Sequence, residues 1–281
     1  MTVIAMEQVD VEPGNSANNS AQIVARTRAA FESGANIVVF PELANSGYVV
    51  SADLVSATAQ ALDGPYVGEL TALTVQSGGL VATGFCERAD DNYFNSVVVV
   101  GPDGPMLHYR KIHLFDQEKD VFTPGHTLPI IETEFGVLGV CVCYDLRFVE
   151  ILRTLSLRGA DIVLAPAAWV AGFDANVPTE GLTKQAEAAI VQANLDQVAV
   201  VAVSQVSAVP HNGLRTLGGS VAVDAFGDVI CGPLSRTEPE SALVTVDLDA
   251  GRAARVRTKR IRPRMDRRTD VYGLQYGDEI L

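Results

Sequence analysis

The chain has 281 residues, 48% of them hydrophobic and 20% charged, so it can bury a sizeable core in one large or two small domains. Its formal net charge of −13 argues against general binding to nucleic acids or anionic membranes. No apolar run is long enough to cross a membrane, the N-terminus lacks the positive region of a secretory signal, and the four cysteines are too sparse for a disulfide framework. These features predict a cytoplasmic protein with reduced thiols.

Hydrophobic spacing predicts alternating strands and helices, with strands clustered towards the C-terminus. The expected elements are strands 3–8, 37–40, 80–87, 93–101, 106–111, 137–142, 162–165, 198–204, 219–223, 229–231 and 243–247, and helices 20–31, 64–77 and 179–196, with another helix after residue 143. This order indicates an α/β fold with mixed sheets in a single domain spanning 1–281. The polar stretch 112–127 is too long for a simple connector, which is typical of a functional loop.

Two segments of the chain resemble each other. GANIVVFPE (34–42) aligns with GADIVLAPA (159–167). Each combines a helix stop, a buried strand and a proline exit, which indicates a fold built from two similar halves. The second copy has Ala167 where the first has Glu42. Glu42 is therefore a candidate for chemistry rather than for the scaffold.

Cys143 ends an apolar strand in the stretch GVCVCYDLRFVEILR (139–153), and an amphipathic helix follows. Ligands of α/β proteins bind beyond the carboxyl ends of strands, and a helix N-terminus favours a thiolate. The alternative is that a cysteine in such an apolar run is only a small buried hydrophobic residue, and Cys141 fits this description well. Glu42 and Lys111 also follow predicted strands and could serve a thiol nucleophile as base and cation. Sequence spacing alone does not show that Glu42, Lys111 and Cys143 lie together in space. The alternatives are that Glu42 is a solvated loop residue and that Lys111 is a surface charge.

Six stretches carry a resemblance to a known family. They are FPELANSGY (40–48), YRKIHLFD followed by EKDVFTPG (109–116 and 118–125), GVCVCYDLRF (139–148), GADIVLAPAAW (159–169), GGSVAVDAFGDVI (218–230) and RPRMDRRTDVYG (262–273). In this order, and over nearly the whole chain, they resemble the nitrilase superfamily of carbon–nitrogen hydrolases. The resemblance implies a four-layer αββα sandwich with two mixed sheets and internal pseudo-symmetry. It also implies a homodimer or a higher homo-oligomer.

By motif position, the resemblance implies a catalytic triad of Glu42, Lys111 and Cys143. Cys143 would form a thioester with the substrate and Glu42 would transfer protons. Lys111 would stabilise the oxyanion together with a backbone N–H near Tyr144. Glu118 would be a second carboxylate that orients Lys111 and the substrate amide. No metal or organic cofactor is implied, and the histidines show no metal-binding spacing.

The residues after the proposed nucleophile, CYDLRF (143–148), resemble those of ω-amidases and deaminated-glutathione amidases, whereas nitrilases of the superfamily usually have Cys-Trp-Glu. Enzymes of this amidase branch of the superfamily cleave a terminal carboxamide from a small acid that carries a 2-oxo group. Arg147 is the nearest candidate partner for a substrate carboxylate, although an ion pair with Asp145 or Glu150 is an equally good reading. Trp169, in the loop after a predicted strand, is the second candidate for substrate binding.

Several positions leave the substrate and the partners open. Val149, QANLD (192–196) and Ser-Gln (204–205) depart from the pattern of the branch, so the acyl group is undetermined. A nitrile or an N-carbamoyl substrate is the alternative within the same chemistry, and a non-catalytic binding or interaction protein is the alternative of another class.

Nine of the 21 basic residues lie in 252–268. This pattern predicts a C-terminal tail (252–281) that docks on the acidic body or on a neighbouring subunit rather than on nucleic acid.

Overall fold

The computed structural model describes residues 1–48, 50–171, 184–207 and 214–281. Within these ranges the strands are β1 (Thr2–Gln8), β2 (Ile37–Val39), β3 (Leu80–Ala89), β4 (Asn92–Gly101), β5 (Gly104–Arg110), β6 (Ile130–Thr133), β7 (Gly136–Val140), β8 (Ile162–Ala167), β9 (Ala199–Ser204), β10 (Val221–Val223), β11 (Val229–Cys231), β12 (Glu240–Val246), β13 (Gln275–Tyr276) and β14 (Glu279–Ile280). The helices are α1 (Ser16–Glu32), α2 (Ala52–Thr58), α3 (Pro65–Ser77), α4 (Glu118–Val121), α5 (Val149–Leu157), α6 (Gln185–Asp196), α7 (Leu248–Ala253) and a 3₁₀ helix (Cys143–Arg147). None of these helices is both long enough and apolar enough to cross a membrane.

Two six-stranded mixed sheets form the centre of the fold, in the orders β12-β1-β2-β3-β4-β5 and β11-β10-β9-β8-β7-β6. The strands β1, β2 and β3 are parallel, as are β7, β8 and β9, and antiparallel strands flank both trios. The two sheets therefore repeat one topology. The two similar sequence segments form β2 and β8, the central strands of the trios, so the predicted internal pseudo-symmetry is confirmed.

Both faces of the first sheet are buried, which explains why its strands read as continuous apolar runs. Ile37 and Val39 belong to the core shared with the second sheet, whereas Val38 and Phe40 pack in a separate core with α1 and α3. The outer face of the second sheet is covered by α5 and α6. The layers thus run helix, sheet, sheet, helix, which confirms the predicted four-layer αββα sandwich.

The elements that were not predicted are all short. They are α2, α4, α7, β6, β13 and β14. Each has seven residues or fewer, too few for a hydrophobic period to stand out from the surrounding loop. The helix predicted over 179–196 begins outside the described residues, and its described part is α6.

Arginines of the C-terminal tail contact the body. Arg252 and Arg255 reach the Asp161 carboxylate at 2.8 and 2.7 Å. Arg264 donates to the backbone carbonyls of Asp196 and Gln197. The assignment of 1–281 to one domain with a docked tail stays a prediction.

Glu87, near the end of β3, makes the stability of the fold depend on pH. Its carboxylate is 2% exposed and accepts hydrogen bonds from Ser96, His108 and Arg110. Burial alone would raise the pKa of Glu87, but the bonds from His108, Arg110 and Ser96 outweigh it and lower the pKa to about 2. Ionised Glu87 therefore stabilises the fold above its unfolded pKa of 4.5, and this contribution is lost as the pH falls towards 2.

We expect Glu87→Gln to lower the free energy of unfolding by roughly 3 kcal/mol at pH 7, with the difference from wild type shrinking below about pH 4. Urea unfolding at a series of pH values measures both quantities. Glu69→Gln, at an exposed position on α3, is the matched control and should change little. Equal stability of Glu87→Gln and Glu69→Gln at pH 7 would contradict the assignment.

Candidate active site

Four buried side chains meet where strands of both sheets end. Glu42 follows β2, Lys111 follows β5 and Cys143 follows β7, while Glu118 is the first residue of α4. Glu42, Lys111 and Glu118 have no solvent exposure, and Cys143 is 7% exposed. Lys111 Nζ lies 2.6 Å from Glu42 Oε1 and 2.8 Å from Glu118 Oε1. The fold thus brings together polar residues that sequence spacing does not place side by side.

Contacts from both halves of the fold hold the turn that contains Glu42. The Glu42 N–H donates to the Ala167 carbonyl oxygen at 3.4 Å, so the two equivalent positions of the repeat are joined directly. The Glu42 carbonyl oxygen accepts a hydrogen bond from Gln205 Nε2 at 2.6 Å. A Cβ at Gly84 in β3 would lie 2.6 Å from Glu42 Cα, so this approach of turn to strand requires glycine.

Asn95 and Tyr48 supply further hydrogen bonds to the two carboxylates. Asn95 Nδ2 donates to Glu42 Oε1 at 2.7 Å, and the Tyr48 hydroxyl donates to Glu118 Oε1 at 2.7 Å. The Phe115 N–H donates to Glu118 Oε2 at 3.0 Å. In contrast, Glu42 Oε2 is buried and has no hydrogen-bond partner among the described residues. This oxygen is therefore available to accept a proton or a substrate N–H.

The cluster buries one cation and two carboxylates completely. Burial raises the pKa of Glu42, because Lys111 offsets only part of the lost hydration and Glu118 adds repulsion. Burial acts to lower the pKa of Lys111, but Glu118 and Glu42 outweigh it and raise the pKa. Lys111 is therefore a permanent cation at neutral pH, and Glu42 has a pKa shifted towards the range useful for proton transfer.

Cys143 lies at a sharp turn between β7 and the 3₁₀ helix, with φ at +47°. Residues other than glycine rarely adopt this left-handed region, and backbone strain of this kind is often found at functional sites. Burial raises the pKa of the Cys143 thiol well above its ordinary value and Glu42 adds to the rise, while Lys111 and a hydrogen bond with the Ala168 backbone oppose it. The thiol is protonated at rest, so it needs a base in order to react.

The Asp145 carboxylate joins the turn of Cys143 to the segment that contains Lys111. Its Oδ2 accepts hydrogen bonds from the Tyr109 hydroxyl at 2.6 Å and from the Val142 N–H at 2.9 Å. Its Oδ1 accepts from the N–H of His113 at 3.2 Å and from His113 Nδ1 at 2.8 Å. The His113 ring also stacks on Phe148 with centroids 3.6 Å apart. Asp145 thereby fixes two strand ends from different sheets relative to each other.

The other predicted site residues lie near this cluster in sequence. Tyr144 is half-buried and makes edge contacts with the rings of Phe115 and Phe148. Arg147 ends the 3₁₀ helix and is exposed. Trp169 is 4% exposed and follows Ala168, the backbone partner of the thiol. The roles assigned to these three residues stay predictions.

Sequence reasoning missed four residues of the site: Tyr48, Asn95, Asp145 and Gln205. Asn95 is a buried amide shortly before the apolar run 97–100 of β4, and this is a signal that the sequence does contain. Gln205 is recognisable in the sequence only as a departure from the family pattern, which does not predict its contact with Glu42. Tyr48 and Asp145 lie inside motifs that the sequence reveals, but their partners depend on contacts between distant strands.

The two carboxylates of this cluster share a cation that belongs to the protein itself. The ammonium of Lys111 occupies the space between Glu42 and Glu118, the two carboxylates that would otherwise be the natural ligands. In the part of the chain that the structure describes, no group of three or more His, Cys, Asp or Glu side chains could hold a metal ion.

Comparison with known proteins reveals the family. The family model described as carbon–nitrogen hydrolase matches residues 3–258. A nitrilase of Pyrococcus abyssi is 30% identical over 276 residues, covering 96% of this chain and 97% of that protein. An (R)-stereoselective amidase of a Pseudomonas species is 33% identical over 220 residues, covering 78% and 76%. The omega-amidase NIT2 of Xenopus tropicalis is 28% identical over 259 residues, covering 88% of each.

A solved structure has the same fold. The NitN amidase from Nesterenkonia sp. matches with a TM-score of 0.75 at 25% identity, covering 96% of this chain and 98% of that one. In a variant of the Nesterenkonia amidase, the acetamide moiety of fluoroacetamide is covalently attached to the active-site cysteine. From the family model and the full-length relatives together, the chain belongs to the carbon–nitrogen hydrolase family and is a hydrolase of carbon–nitrogen bonds.

Proposed function

We propose that the chain is a thiol amidohydrolase that cleaves the C–N bond of a small carboxamide through a Cys143 thioester, releasing ammonia and a carboxylate. The observation that carries the proposal is that Glu42 Oε2, a proton acceptor, has no hydrogen-bond partner among the described residues of a buried site that also contains the Cys143 thiol and the Lys111 cation. Similarity to an (R)-stereoselective amidase and to an omega-amidase supports an amide as the substrate.

In the acylation half, Glu42 Oε2 takes the thiol proton as Cys143 Sγ attacks the amide carbonyl carbon. The carbonyl oxygen becomes an oxyanion, which Lys111 Nζ and the Tyr144 backbone N–H stabilise. Glu118 accepts a hydrogen bond from Lys111 Nζ at 2.8 Å and so fixes the direction of the ammonium. Glu42 then delivers its proton to the amide nitrogen, the C–N bond breaks, and ammonia leaves a thioester on Cys143.

In the deacylation half, Glu42 takes a proton from a water molecule that attacks the thioester carbonyl carbon. The same two donors stabilise the second oxyanion. The C–S bond breaks, and the departing sulfur of Cys143 receives the proton held by Glu42. The carboxylic acid leaves and ionises in solution, so the enzyme returns to its starting protonation state without any cofactor.

The substrate class that fits the motif after Cys143 is the ω-amide of a small 2-oxo acid. A nitrile and an N-carbamoyl amine remain the competing substrates, since relatives include a nitrilase and an N-carbamoylputrescine amidase. Product analysis separates these substrates, because a carbamoyl compound releases carbon dioxide as well as ammonia. We place the protein in the cytoplasm, and the four free cysteines support a reducing compartment.

A pair of variants tests the thiol mechanism. With a panel of ω-amides, Cys143→Ser and Glu42→Gln should each lower the rate of ammonia release by about a thousandfold, because the first removes the nucleophile and the second the proton acceptor. Mass spectrometry of wild-type protein quenched during turnover should detect the acyl group on the peptide that contains Cys143.

Cys231→Ser is the matched control for the thiol substitution, since Cys231 is half-buried in β11 of the second sheet. This variant should keep the wild-type rate. Undiminished turnover in Cys143→Ser, or an acyl group on any other cysteine, would contradict the proposed mechanism. Absence of turnover on every amide, nitrile and carbamoyl compound by folded wild type would favour a non-catalytic binding protein.

Lys111 also stabilises the fold, because it neutralises two buried carboxylates. Lys111→Met leaves Glu42 and Glu118 buried without their shared cation, so it should lower the free energy of unfolding by about 3–5 kcal/mol as well as abolish turnover. Chemical denaturation at pH 7 measures the change. Lys119→Met, at an exposed position of α4, is the matched control and should leave stability nearly unchanged. Equal stability of the two variants would mean that the buried ion pairs do not form.

We also propose that the chain assembles as a homodimer through α5 and α6. Val149, Val191 and Leu195 are 59%, 56% and 53% exposed on these outer helices, beside a cleft of about 640 Å³ shared with the C-terminal tail. Glu150 and Arg153 line the same cleft, so the surface offers both charges to a second copy, as an isologous interface requires.

Light scattering after gel filtration tests the dimer. The wild type should elute as a dimer, and the double variant Val191→Lys/Leu195→Lys should elute as a monomer, because charges would be buried at the apolar contact. Val75→Lys on α3, where the side chain is 62% exposed, is the matched control and should remain dimeric. A monomeric wild type would contradict the proposal.

A further inference from the structure

Asn95 in β4 contacts all three charged residues of the buried cluster. Its backbone carbonyl oxygen accepts a hydrogen bond from the Lys111 N–H at 2.8 Å. Its side-chain Nδ2 donates to Glu42 Oε1 at 2.7 Å and to Glu118 Oε1 at 3.4 Å. Asn95 is 1% exposed, so bulk water does not compete for these bonds. One residue therefore holds the backbone of the cation and one oxygen of each carboxylate.

The oxygen of the Asn95 amide contributes nothing comparable. Oδ1 is buried and has no hydrogen-bond partner in the part of the chain that the structure describes. An unpaired buried acceptor costs free energy, so the amide is not explained by the needs of Oδ1. A reversed amide would point Oδ1 at the carboxylates of Glu42 and Glu118, where it would be repelled. The two carboxylates thus fix the orientation in which Nδ2 donates.

The hydrogen bonds make the four carboxylate oxygens unequal. Glu42 Oε1 accepts from both Lys111 Nζ and Asn95 Nδ2, at 2.6 and 2.7 Å. Glu118 Oε1 accepts from Lys111 Nζ, and Glu118 Oε2 accepts from the Phe115 N–H. Among the described residues, only Glu42 Oε2 of these four oxygens is left without a donor. Two donors fill the two lone-pair sites of Glu42 Oε1, so a proton is accepted at Oε2.

Lys111 by itself would hold Glu42 less firmly. Its ammonium is shared between Glu42 and Glu118, and the terminal torsion of a glutamate side chain is broad, with two nearly equivalent orientations. Asn95 adds a second donor from β4, which is paired with β3 on one side and β5 on the other. A donor on a strand inside the sheet keeps a fixed position. The bond from Asn95 therefore opposes an exchange of the two oxygens of Glu42.

We infer that Asn95 is a positioning residue for proton transfer: it holds Oε1 of Glu42, so that Oε2 is the oxygen that exchanges a proton with Cys143. The inference rests on the proposed amidohydrolase function and adds a residue to it. Asn95 acts through Glu42 and not on the substrate. Glu42 accepts a proton in acylation and again in deacylation, so the same hydrogen bond serves both halves of the reaction.

Asn95 also favours the ionised form of Glu42. The titratable groups that act on Glu42 are Lys111, Glu118, Cys143 and Tyr48. Burial is the main cause of the raised pKa of Glu42, and hydrogen bonds from Lys111 and Asn95 to the carboxylate oppose it. Glu42 accepts a proton only when it is ionised, so turnover falls as the pH drops through this pKa. Loss of the Asn95 donor therefore moves the acid limb of the pH profile upward.

The pH dependence of turnover in Asn95→Val tests the inference, measured with the ω-amide that wild type hydrolyses fastest. Valine lacks the donor and suits a strand that continues with four valines at 97–100. We expect the acid limb of kcat/KM to move upward by about one pH unit, the effect of one hydrogen bond to a charged group. On the plateau, kcat should fall by about tenfold because Oε2 is no longer held in place, while KM changes by less than about threefold.

A second variant and two controls separate positioning from packing. Asn95→Ala also lacks the donor but cannot clash with its neighbours, and its acid limb should move in the same direction. Asn92→Val, at an exposed asparagine of the same strand, should keep the wild-type profile. Tyr66→Phe removes a buried hydroxyl that bonds to Thr83 Oγ1 at 2.6 Å, so it should lower stability and leave the acid limb in place.

Alkylation by iodoacetamide tests Asn95 without turnover. The rate of labelling at Cys143, followed by mass spectrometry, should show the same upward shift of its acid limb in Asn95→Val. If no amide is hydrolysed but labelling shows this shift, the proposed function fails and the role of Asn95 holds. If amides are hydrolysed and the acid limb stays in place in both Asn95 variants, or only KM rises, the role of Asn95 fails and the function holds. A folded wild type that neither hydrolyses amides nor is labelled at Cys143 overturns both.

Discussion

The burial of Lys111 is the constraint on which the rest of the site depends. An ammonium without solvent loses several kcal/mol of hydration unless carboxylates replace it in good geometry, and Glu42 and Glu118 do so at 2.6 and 2.8 Å. Two carboxylates exceed what one cation needs. Burial is the main cause of the raised pKa of Glu42 and of the Cys143 thiol. Repulsion from Glu118 adds to the first rise, and repulsion from Glu42 adds to the second. Transfer of the thiol proton to Glu42 leaves the total charge of the cluster unchanged, whereas loss of that proton to solvent would add a third buried negative group to the two carboxylates. The cluster therefore favours an internal proton transfer over a standing thiolate.

That chemistry requires two sheets to hold a fixed register, and Asp145 supplies the connection. Tyr109 and His113 flank Lys111 in the chain, and both donate hydrogen bonds to Asp145. Val142, directly before Cys143, donates to the same carboxylate. A shift between the sheets would break these bonds and leave buried donors unpaired, which costs more than the bonds contribute when formed. The distance between cation and thiol is thus protected by a residue that takes no part in the proposed reaction.

The scaffold was more predictable from the sequence than the partners within the site. The central strands were found because strands buried on both faces read as continuous apolar runs, and the repeat of 34–42 in 159–167 predicted the equivalence of β2 and β8. Glu42 emerged as a mismatch within that repeat, and the family resemblance added Lys111, Cys143 and Glu118. The hydrogen bonds of Asn95 and Asp145 could not be predicted, because each joins strands far apart in sequence whose register only the packed fold determines.

The two halves of the fold have diverged in what they contribute to the site. The first half supplies the side chains of Glu42, Lys111 and Glu118. The second half supplies Cys143, backbone groups, and the side chains of Asp145 and Gln205, which hold the turns of the site in place. Ala167, the counterpart of Glu42, contributes a carbonyl oxygen that accepts the Glu42 N–H, and the next residue's backbone bonds to the thiol. A glutamate at 167 would add a third carboxylate to a site with one cation, which would raise the pKa of Glu42 and of the thiol further. The small side chain at this position keeps the charge balance within which one carboxylate can exchange a proton with the thiol. The asymmetry between the repeats is therefore a requirement of the charge balance that Lys111 imposes.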